Sequence, residues 1–252
     1  ACSNEQEKTG TNPIASTPSA ATTNTPKSTN RFAPQNLSLT HTLHPPKQND
    51  GTAPPLLLLL HGYGSNHQSM LGYADYLDSH FLIISVQAPN KMSADAYNWY
   101  SIDFKNNAQV RNETEAEESR QKISKFIKEA VKAYQVDAQK VYLMGFSQGA
   151  IMSLSIALTQ PKSISGVVAM SGRLLHNIEQ KAAPKSAFKQ LPIFISHGTK
   201  DAVISIDEAR ATQQLLQQYP IKLSYNEYDM QHTINGECFR DIQVWLSEQL
   251  KP

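Results

Sequence analysis

Strand-length apolar runs alternate with helix-length amphipathic segments along most of this chain. The run Leu56–Leu60 is five consecutive leucines, which is typical of a strand buried on both faces. Further strands are predicted at 37–43, 81–89, 140–144, 164–170, 191–196 and 221–228, and helices at 67–78, from Asn112 onward, and at 148–159, 205–218 and 236–250. Residues 90–111 are predicted to form a long loop. This alternation favours the α/β class, with a mainly parallel sheet covered by helices on both faces.

Length and charge narrow the classes of function. The chain has 252 residues, 40% of them hydrophobic, which suits one α/β domain with a sizeable core. Its net charge of +1 gives no electrostatic footprint for nucleic acid. The cysteines are Cys2 and Cys238, and their spacing suggests neither a metal site nor a disulfide framework.

The first 30 residues differ from the rest in composition. They are rich in Thr, Ser, Asn, Ala and Pro, so we predict a disordered tether over 1–30 and a catalytic domain over 31–252. Ala1-Cys2 resembles the end of a bacterial lipoprotein signal, which predicts an exported protein tethered to a membrane through lipidated Cys2. The alternative is that Cys2 is incidental and the protein is cytoplasmic.

The segment from Val141 to Met152, VYLMGFSQGAIM, contains the pattern G-x-S-x-G around Ser147. The pattern alone is common, but here it follows a predicted strand and precedes a predicted helix. That context is typical of the nucleophile elbow of α/β-hydrolases, in which a strained turn exposes the serine hydroxyl. Ser147 is therefore the candidate nucleophile.

A nucleophilic serine needs a base and a group that orients the base. In α/β-hydrolases these follow in the order serine, acid, histidine. His232 comes after the last predicted strand, whereas His197 precedes Asp201, the candidate acid at the end of a buried strand. Asp229 is a local competitor of Asp201. The sequence thus predicts a triad of Ser147, Asp201 and His232.

The same architecture predicts where an oxyanion would bind. One donor is the backbone N–H of Gln148, directly after the nucleophile. The other is the N–H of Tyr63 in the glycine loop that follows Leu56–Leu60. His61, in the same loop, is expected to have a structural role. Candidate pocket residues are Trp99, Tyr100, Met170 and Leu174, each with core packing or loop anchoring as the alternative.

Several blocks occur together and in order: LLLLLHGYGSN, YNWYSIDF, VYLMGFSQGAIMSLSIAL, MSGRLL, ISHGTKDAVI and MQHTI. Over roughly residues 37–250 they resemble the phospholipase/carboxylesterase family of α/β-hydrolases, which includes acyl-protein thioesterases and small bacterial esterases. The resemblance implies a hydrolase without metal or cofactor and with a minimal lid. It places the triad on Ser147, Asp201 and His232, and the oxyanion donors on Tyr63 and Gln148.

Three functions remain in competition. The first is a serine carboxylesterase that acts on small acyl esters through an acyl-enzyme intermediate. The second is a lysophospholipase or acyl-protein thioesterase that uses the same residues on longer acyl chains. The third is a hydrolase-like binding module without activity. The partner expected in the first case is a small-molecule ester; the sequence leaves the oligomeric state open.

Overall fold

The computed structural model describes residues 31–48, 50–105 and 108–251. Its strands are β1 (His41–His44), β2 (Leu56–Leu60), β3 (Leu82–Val86), β4 (Asn90–Lys91), β5 (Tyr97–Asn98), β6 (Ile102–Lys105), β7 (Ala108–Arg111), β8 (Val141–Phe146), β9 (Gly166–Met170), β10 (Leu191–Gly198) and β11 (Ile221–Tyr228). Its α-helices are α1 (Glu113–Tyr134), α2 (Gln148–Thr159), α3 (Ile206–Leu216) and α4 (Gly236–Gln249). Short 3₁₀ turns connect several of them.

Seven strands form one sheet in the order β1-β3-β2-β8-β9-β10-β11. β1 pairs antiparallel with β3, and every other pair in this sheet is parallel. From β2 the chain first adds β3 on one side and later β8 on the other. The order therefore reverses between β2 and β8, and a crevice opens there at the carboxyl ends of the strands.

The sheet separates two apolar layers, because alternate side chains of a strand point to opposite faces. Leu56, Leu58 and Leu60 pack with residues of α1, α2 and α3. Leu57 and Leu59 pack on the other face, with residues of α4 and of the 3₁₀ turn Leu71–Tyr76. All five leucines are fully buried. The predicted mainly parallel sheet with helices on both faces is confirmed.

Two predicted elements differ from the structure. The strand predicted at 37–43 is limited to His41–His44, and the helix predicted at 67–78 is a 3₁₀ turn, Leu71–Tyr76. Of the two, β1 is an edge strand of the sheet, where pairing on one side only leaves few neighbours to extend a regular element.

The predicted loop 90–111 instead contains two small antiparallel hairpins, β4–β5 and β6–β7. Their strands are two to four residues long. Strands of this length are too short to show the alternation by which longer strands are recognised. The prediction of an irregular loop was therefore wrong for this segment.

The start of α1 is capped by the side chain of Asn112. Its Oδ1 accepts the Glu115 N–H at 3.1 Å. The Glu115 carboxylate accepts the Ser101 N–H at 2.6 Å instead of reaching back to Asn112. The cap thereby ties α1 to the segment that carries Trp99 and Tyr100.

Residues Phe32–Pro252 form one compact unit. The predicted tether 1–30 and Cys2 lie outside the described residues, so both remain predictions. None of the helices in the described ranges has the length and apolar content needed to span a membrane.

Candidate active site

The candidate active site lies at the carboxyl ends of β2 and β8, where the strand order reverses. Residues 61–66 follow β2, and Ser147 follows β8. Asp201 comes just after β10, and His232 lies between β11 and α4. Parallel strands bring their carboxyl ends to one edge of the sheet, so residues distant in sequence meet at this edge.

Ser147 has a strained backbone, with φ 54° and ψ −118°. Residues with a side chain rarely adopt a positive φ, and such strain is concentrated at functional sites. The turn is tight enough to require the flanking glycines. A Cβ at Gly145 would overlap the carbonyl of Gly149, and a Cβ at Gly149 would overlap the carbonyl of Leu60. The glycines therefore let α2 pack directly against β2 and β8.

A continuous hydrogen-bonded chain joins the three residues of the predicted triad. The Ser147 hydroxyl donates to Nε2 of His232 at 2.8 Å. On the other side of the ring, Nδ1–H donates to Oδ2 of Asp201 at 2.7 Å. The imidazole also packs against the Phe146 ring, with centroids 5.0 Å apart. This arrangement can remove a proton from the hydroxyl and return it to a leaving group.

The Asp201 carboxylate is fully buried and held from several directions. Its Oδ1 accepts the N–H groups of Val203 and Ile204 at 2.8 and 2.9 Å. The buried His197 lies behind it, with Nε2 3.4 Å from Oδ2, and donates to the carbonyl of Ile204 at 2.8 Å.

His197 and Asp229, the other candidates for the base and the acid, are not part of the hydrogen-bonded series Ser147–His232–Asp201. His197 contacts the back of Asp201 rather than Ser147. Asp229 forms an ion pair with Lys200 on the surface, and 76% of its side chain is exposed. The structure thus brings Asp201, and not Asp229, to His232.

The backbone N–H groups of Gln148 and Tyr63 are the two predicted oxyanion donors. The N–H of Gln148 is the first of α2, and the first four N–H groups of a helix have no partner within it. The N–H of Tyr63 lies in the loop after β2. Both residues line a cavity that contains Ser147. Their position fits the oxyanion donors predicted from the sequence, a role that stays a prediction.

His61 fixes the loop that carries Tyr63. Its Nδ1–H donates to the carbonyl of Gly62 at 2.7 Å, and its Nε2 accepts the N–H of Ala88 at 3.0 Å. Burial lowers the pKa of His61 to about 4, so the ring is neutral near pH 7. Its own carbonyl accepts the indole N–H of Trp99 at 2.9 Å. The ring is thus saturated with structural hydrogen bonds.

The side chain of Gln148 holds the segment Trp99–Tyr100 against the site. Its Oε1 accepts the Trp99 N–H, and its Nε2 donates to the Tyr100 carbonyl, both at 2.7 Å. The backbone of Gln148 therefore lies next to Ser147, while its side-chain amide holds part of the cavity wall.

Two cavities meet at Ser147, with Tyr63 between them. The first, of about 210 Å³, is lined by Tyr100, Gln148, Ile151 and others. The second, of about 370 Å³, is lined by residues that include Gly62, Phe146 and His232. A larger cavity of about 480 Å³ opens beside Pro54 and Lys140, at the amino ends of the strands, and holds none of the triad candidates.

Of the four predicted pocket residues, Tyr100 lines a cavity beside Ser147. Trp99 is fully buried in the core and anchors the loop instead. Met170 packs in the core, and its carbonyl accepts the N–H of Ser147 at 2.9 Å. Leu174 is also buried, and its N–H donates to Thr212. The last three residues therefore support the site from behind without lining these two cavities.

Sequence reasoning missed two charged residues of the first cavity, Arg111 and Arg173. Arg173 was visible within the block MSGRLL, directly after a predicted strand, which is where side chains reach the site. Arg111 had no such signal, because β7 was predicted to be loop.

Comparison with known proteins agrees with the fold. A family model described as Phospholipase/Carboxylesterase matches residues 47–250. The chain is 28% identical over 215 residues to a Kluyveromyces lactis protein named acyl-protein thioesterase 1, covering 78% of this chain and 92% of that protein. A Neurospora crassa protein of the same name is 30% identical over 159 residues, which are 61% of this chain and 64% of the relative. Among solved structures, the Bacillus cereus carboxylesterase has a TM-score of 0.74 at 21% identity, covering 85% of this chain and 96% of that one.

Proposed function

Because the chain belongs to the phospholipase/carboxylesterase family, whose members hydrolyse esters, we propose that it is a serine carboxylesterase. In this proposal Ser147 is the nucleophile, His232 is the base, and Asp201 orients His232. The observation that carries the proposal is the hydrogen-bonded chain from the Ser147 hydroxyl through His232 to Asp201, at 2.8 and 2.7 Å. A protein that only binds its ligand would not need these three residues to be hydrogen-bonded in series.

In the first half of the reaction, Ser147 Oγ attacks the ester carbonyl while its proton passes to Nε2 of His232. The N–H groups of Tyr63 and Gln148 donate to the oxygen that becomes negative. His232 then protonates the alcohol oxygen, and the carbon–oxygen bond to the alcohol breaks. Ser147 is left acylated.

In the second half, water takes the place of the alcohol. His232 accepts a proton from the water as it attacks the acyl carbon, and then returns that proton to Ser147. Asp201 keeps Nδ1 protonated throughout, so Nε2 is always the atom that exchanges protons with the reaction. The products are a carboxylic acid and an alcohol.

The two cavities differ in which part of the ester they can receive. The leaving alcohol must lie beside His232, because His232 protonates it. The cavity of about 370 Å³ contains His232 and is therefore the alcohol side. The cavity of about 210 Å³ contains Gln148 and not His232, which makes it the acyl side. Its small volume supports short acyl groups.

The proposal is tested by replacing Ser147 with Ala. We expect hydrolysis of 4-nitrophenyl acetate to fall by about 10⁴- to 10⁶-fold, because the hydroxyl that forms the acyl-enzyme is gone. A fluorophosphonate probe should label the wild type and not the variant. Ser155→Ala is the matched control, since the Ser155 hydroxyl only donates to a carbonyl of its own helix. Residual turnover within tenfold of wild type in folded Ser147→Ala would refute the nucleophile.

A second candidate, hydrolysis of longer acyl esters or thioesters, is favoured by the 28% identity to a protein named acyl-protein thioesterase 1. A panel of 4-nitrophenyl esters from acetate to palmitate, together with a palmitoyl thioester, separates the two. We expect kcat/KM to peak at short acyl chains. A peak at the longest chains, or on the thioester, would favour the second candidate.

A further inference from the structure

Two arginines line the acyl side of the site, although ester hydrolysis itself needs no cation there. Arg173 follows β9, and Arg111 is the last residue of β7. Both line the cavity of about 210 Å³ that contains Ser147 and Gln148. The ester carbonyl that Ser147 attacks is neutral, so it does not account for two positive charges beside it. An anionic group of the substrate would account for them.

Arg173 is buried with an incomplete set of partners. Only 7% of the residue is exposed. Its Nη1 donates to the carbonyl of Leu174 at 2.6 Å, whereas Nε and Nη2 have no hydrogen-bond partner in the described part of the chain. Glu208 lies 3.2 Å from Nε, which is an ion-pair distance without hydrogen-bond geometry. Buried charges are normally fully paired, so Arg173 leaves positive charge beside the cavity that an anion bound there would balance.

Arg111 adds a second cation. Its Nη2 donates to Oε1 of Gln109 at 3.1 Å, and no carboxylate of the described residues forms an ion pair with it. Burial is the main cause that lowers the pKa of Arg173, and the nearby charge of Arg111 lowers it further. With Glu208 as counterion for one arginine, the pair leaves one net positive charge at the cavity.

We propose that this cavity binds a carboxylate at the far end of the acyl group, so that the preferred substrates are monoesters of short dicarboxylic acids. This inference rests on the proposed function and specifies its substrate class. Ile102, Ile151 and Ile204 would contact the methylene groups. The guanidinium groups would bind the carboxylate, whose two oxygens match their geometry.

The size of the cavity agrees with such an acyl group. A volume of about 210 Å³ holds roughly seven water-sized groups, which is the size of a succinyl group. The bound carboxylate takes no part in bond making. The Ser147 Oγ–acyl bond forms as the alcohol leaves, water then breaks that bond, and the products are the dicarboxylate and the alcohol.

The experiment compares monoethyl succinate with ethyl levulinate, in which a methyl ketone replaces the carboxylate and the shape is almost unchanged. We expect wild-type kcat/KM to be about 10- to 100-fold higher for monoethyl succinate, the range that a hydrogen-bonded charge provides. Proton release followed by pH-stat titration measures both reactions. The acetyl ester of 3-hydroxypropionate, which carries its carboxylate on the alcohol side, should resemble ethyl levulinate.

Two variants then locate the effect. Arg111→Gln and Arg173→Lys should each reduce the ratio of the two kcat/KM values by at least about tenfold, the second because lysine lacks the planar fork of donors. The control is Lys128→Gln, which removes an exposed positive charge on α1 and should leave the ratio unchanged. Because Arg111 is only partly buried, its variant keeps the test valid even if Arg173→Lys fails to fold.

The outcomes separate this inference from the proposed function. If wild type hydrolyses ethyl levulinate as fast as monoethyl succinate, or if the preference persists in folded Arg111→Gln, the carboxylate site is refuted while the esterase stands. A preference for the 3-hydroxypropionate ester would refute the assignment to the acyl side. If wild type hydrolyses none of these esters and no 4-nitrophenyl acetate, both the esterase and the carboxylate site are refuted.

Discussion

One carboxylate oxygen of Asp201 accepts the Nδ1–H of His232, while the other accepts two backbone N–H groups. These contacts fix the position of the carboxylate beside Nδ1 of His232. The loop that carries His232 also carries the exposed Asp229, only three residues from His232 in sequence. Burial and hydrogen bonding, rather than proximity along the chain, distinguish the two acids.

Replacing Asp201 with Asn should preserve the fold and reduce kcat for 4-nitrophenyl acetate by about 10⁴-fold. An amide in this position favours the wrong histidine tautomer, and the magnitude is the one seen for the equivalent change in a serine protease. Asp229→Asn is the matched control and should change kcat less than about threefold, because it removes only an exposed ion pair. The reverse ranking would move the acid to Asp229.

His61 makes the stability of the protein depend on pH. Burial lowers its pKa from 6.5 to about 4 in the folded state. Between these values the unfolded chain binds a proton that the folded chain excludes, so the free energy of unfolding falls as the pH decreases from about 6.5 toward 4. The limiting slope for one proton is about 1.4 kcal/mol per pH unit.

Urea denaturation at pH 7 and pH 5 measures this effect. Wild type should lose more stability between the two pH values than His61→Gln, which carries no titrating ring, although the variant is less stable at pH 7. His176→Gln is the control, because His176 is exposed and should leave the wild-type pH dependence intact. Equal losses in wild type and His61→Gln would show that His61 is not the source.

The turn between β8 and α2 depends on how closely the helix approaches the sheet. Gly149 lies against the carbonyl of Leu60, so α2 begins in direct contact with the end of β2. That approach places the Gln148 N–H beside Ser147 and lets the Gln148 amide reach Trp99 and Tyr100. The start of α2 therefore positions both Ser147, the proposed nucleophile, and one wall of the cavity proposed for the acyl group.

Gly149→Ala should destabilise the protein by about 1–3 kcal/mol or more, since the added methyl group forces the backbone of α2 away from β2. It should also reduce kcat, because Gln148 and Ser147 move with the helix. Gly236→Ala is the control at the start of α4, where a Cβ meets nothing closer than 3.6 Å. Chemical denaturation compares the two. If Gly149→Ala were as stable as wild type, the turn would be able to accommodate a Cβ at position 149.

The compact unit Phe32–Pro252 contains the whole sheet, both apolar layers and the candidate site. The segment before it is poor in apolar residues, with Ile14 the only large aliphatic side chain among residues 3–30. The stability and the activity of the molecule should therefore be properties of this unit.

Removing residues 1–30 should leave the melting temperature within about 2 °C of the full chain and turnover unchanged, because segments without apolar residues cannot contribute a core. Removing residues 1–36 is the matched comparison. It also takes away Phe32, which belongs to the core, and should lower the melting temperature by several degrees. A large loss of stability from the shorter deletion would contradict the domain boundary near residue 31.

Local patterns along the chain were enough to predict many of its strands and helices. Apolar runs such as Leu56–Leu60 and Val141–Phe146 specify buried strands, and the spacing of apolar residues in α1 and α4 specifies helices. The glycines around Ser147 identified the turn, and chain order alone separated His232 from His197. These features depend on neighbours within a few residues, so they can be read along the chain.

The side chains that line the site together could be identified only in the folded chain. It placed Trp99 in the core and Tyr100 in the cavity wall, and it brought Arg111 of a short hairpin beside Arg173 at the end of β9. These relations join residues that are far apart in sequence. Periodicity carries no information about such pairs, because they arise where the sheet reverses its strand order and gathers the carboxyl ends of its strands.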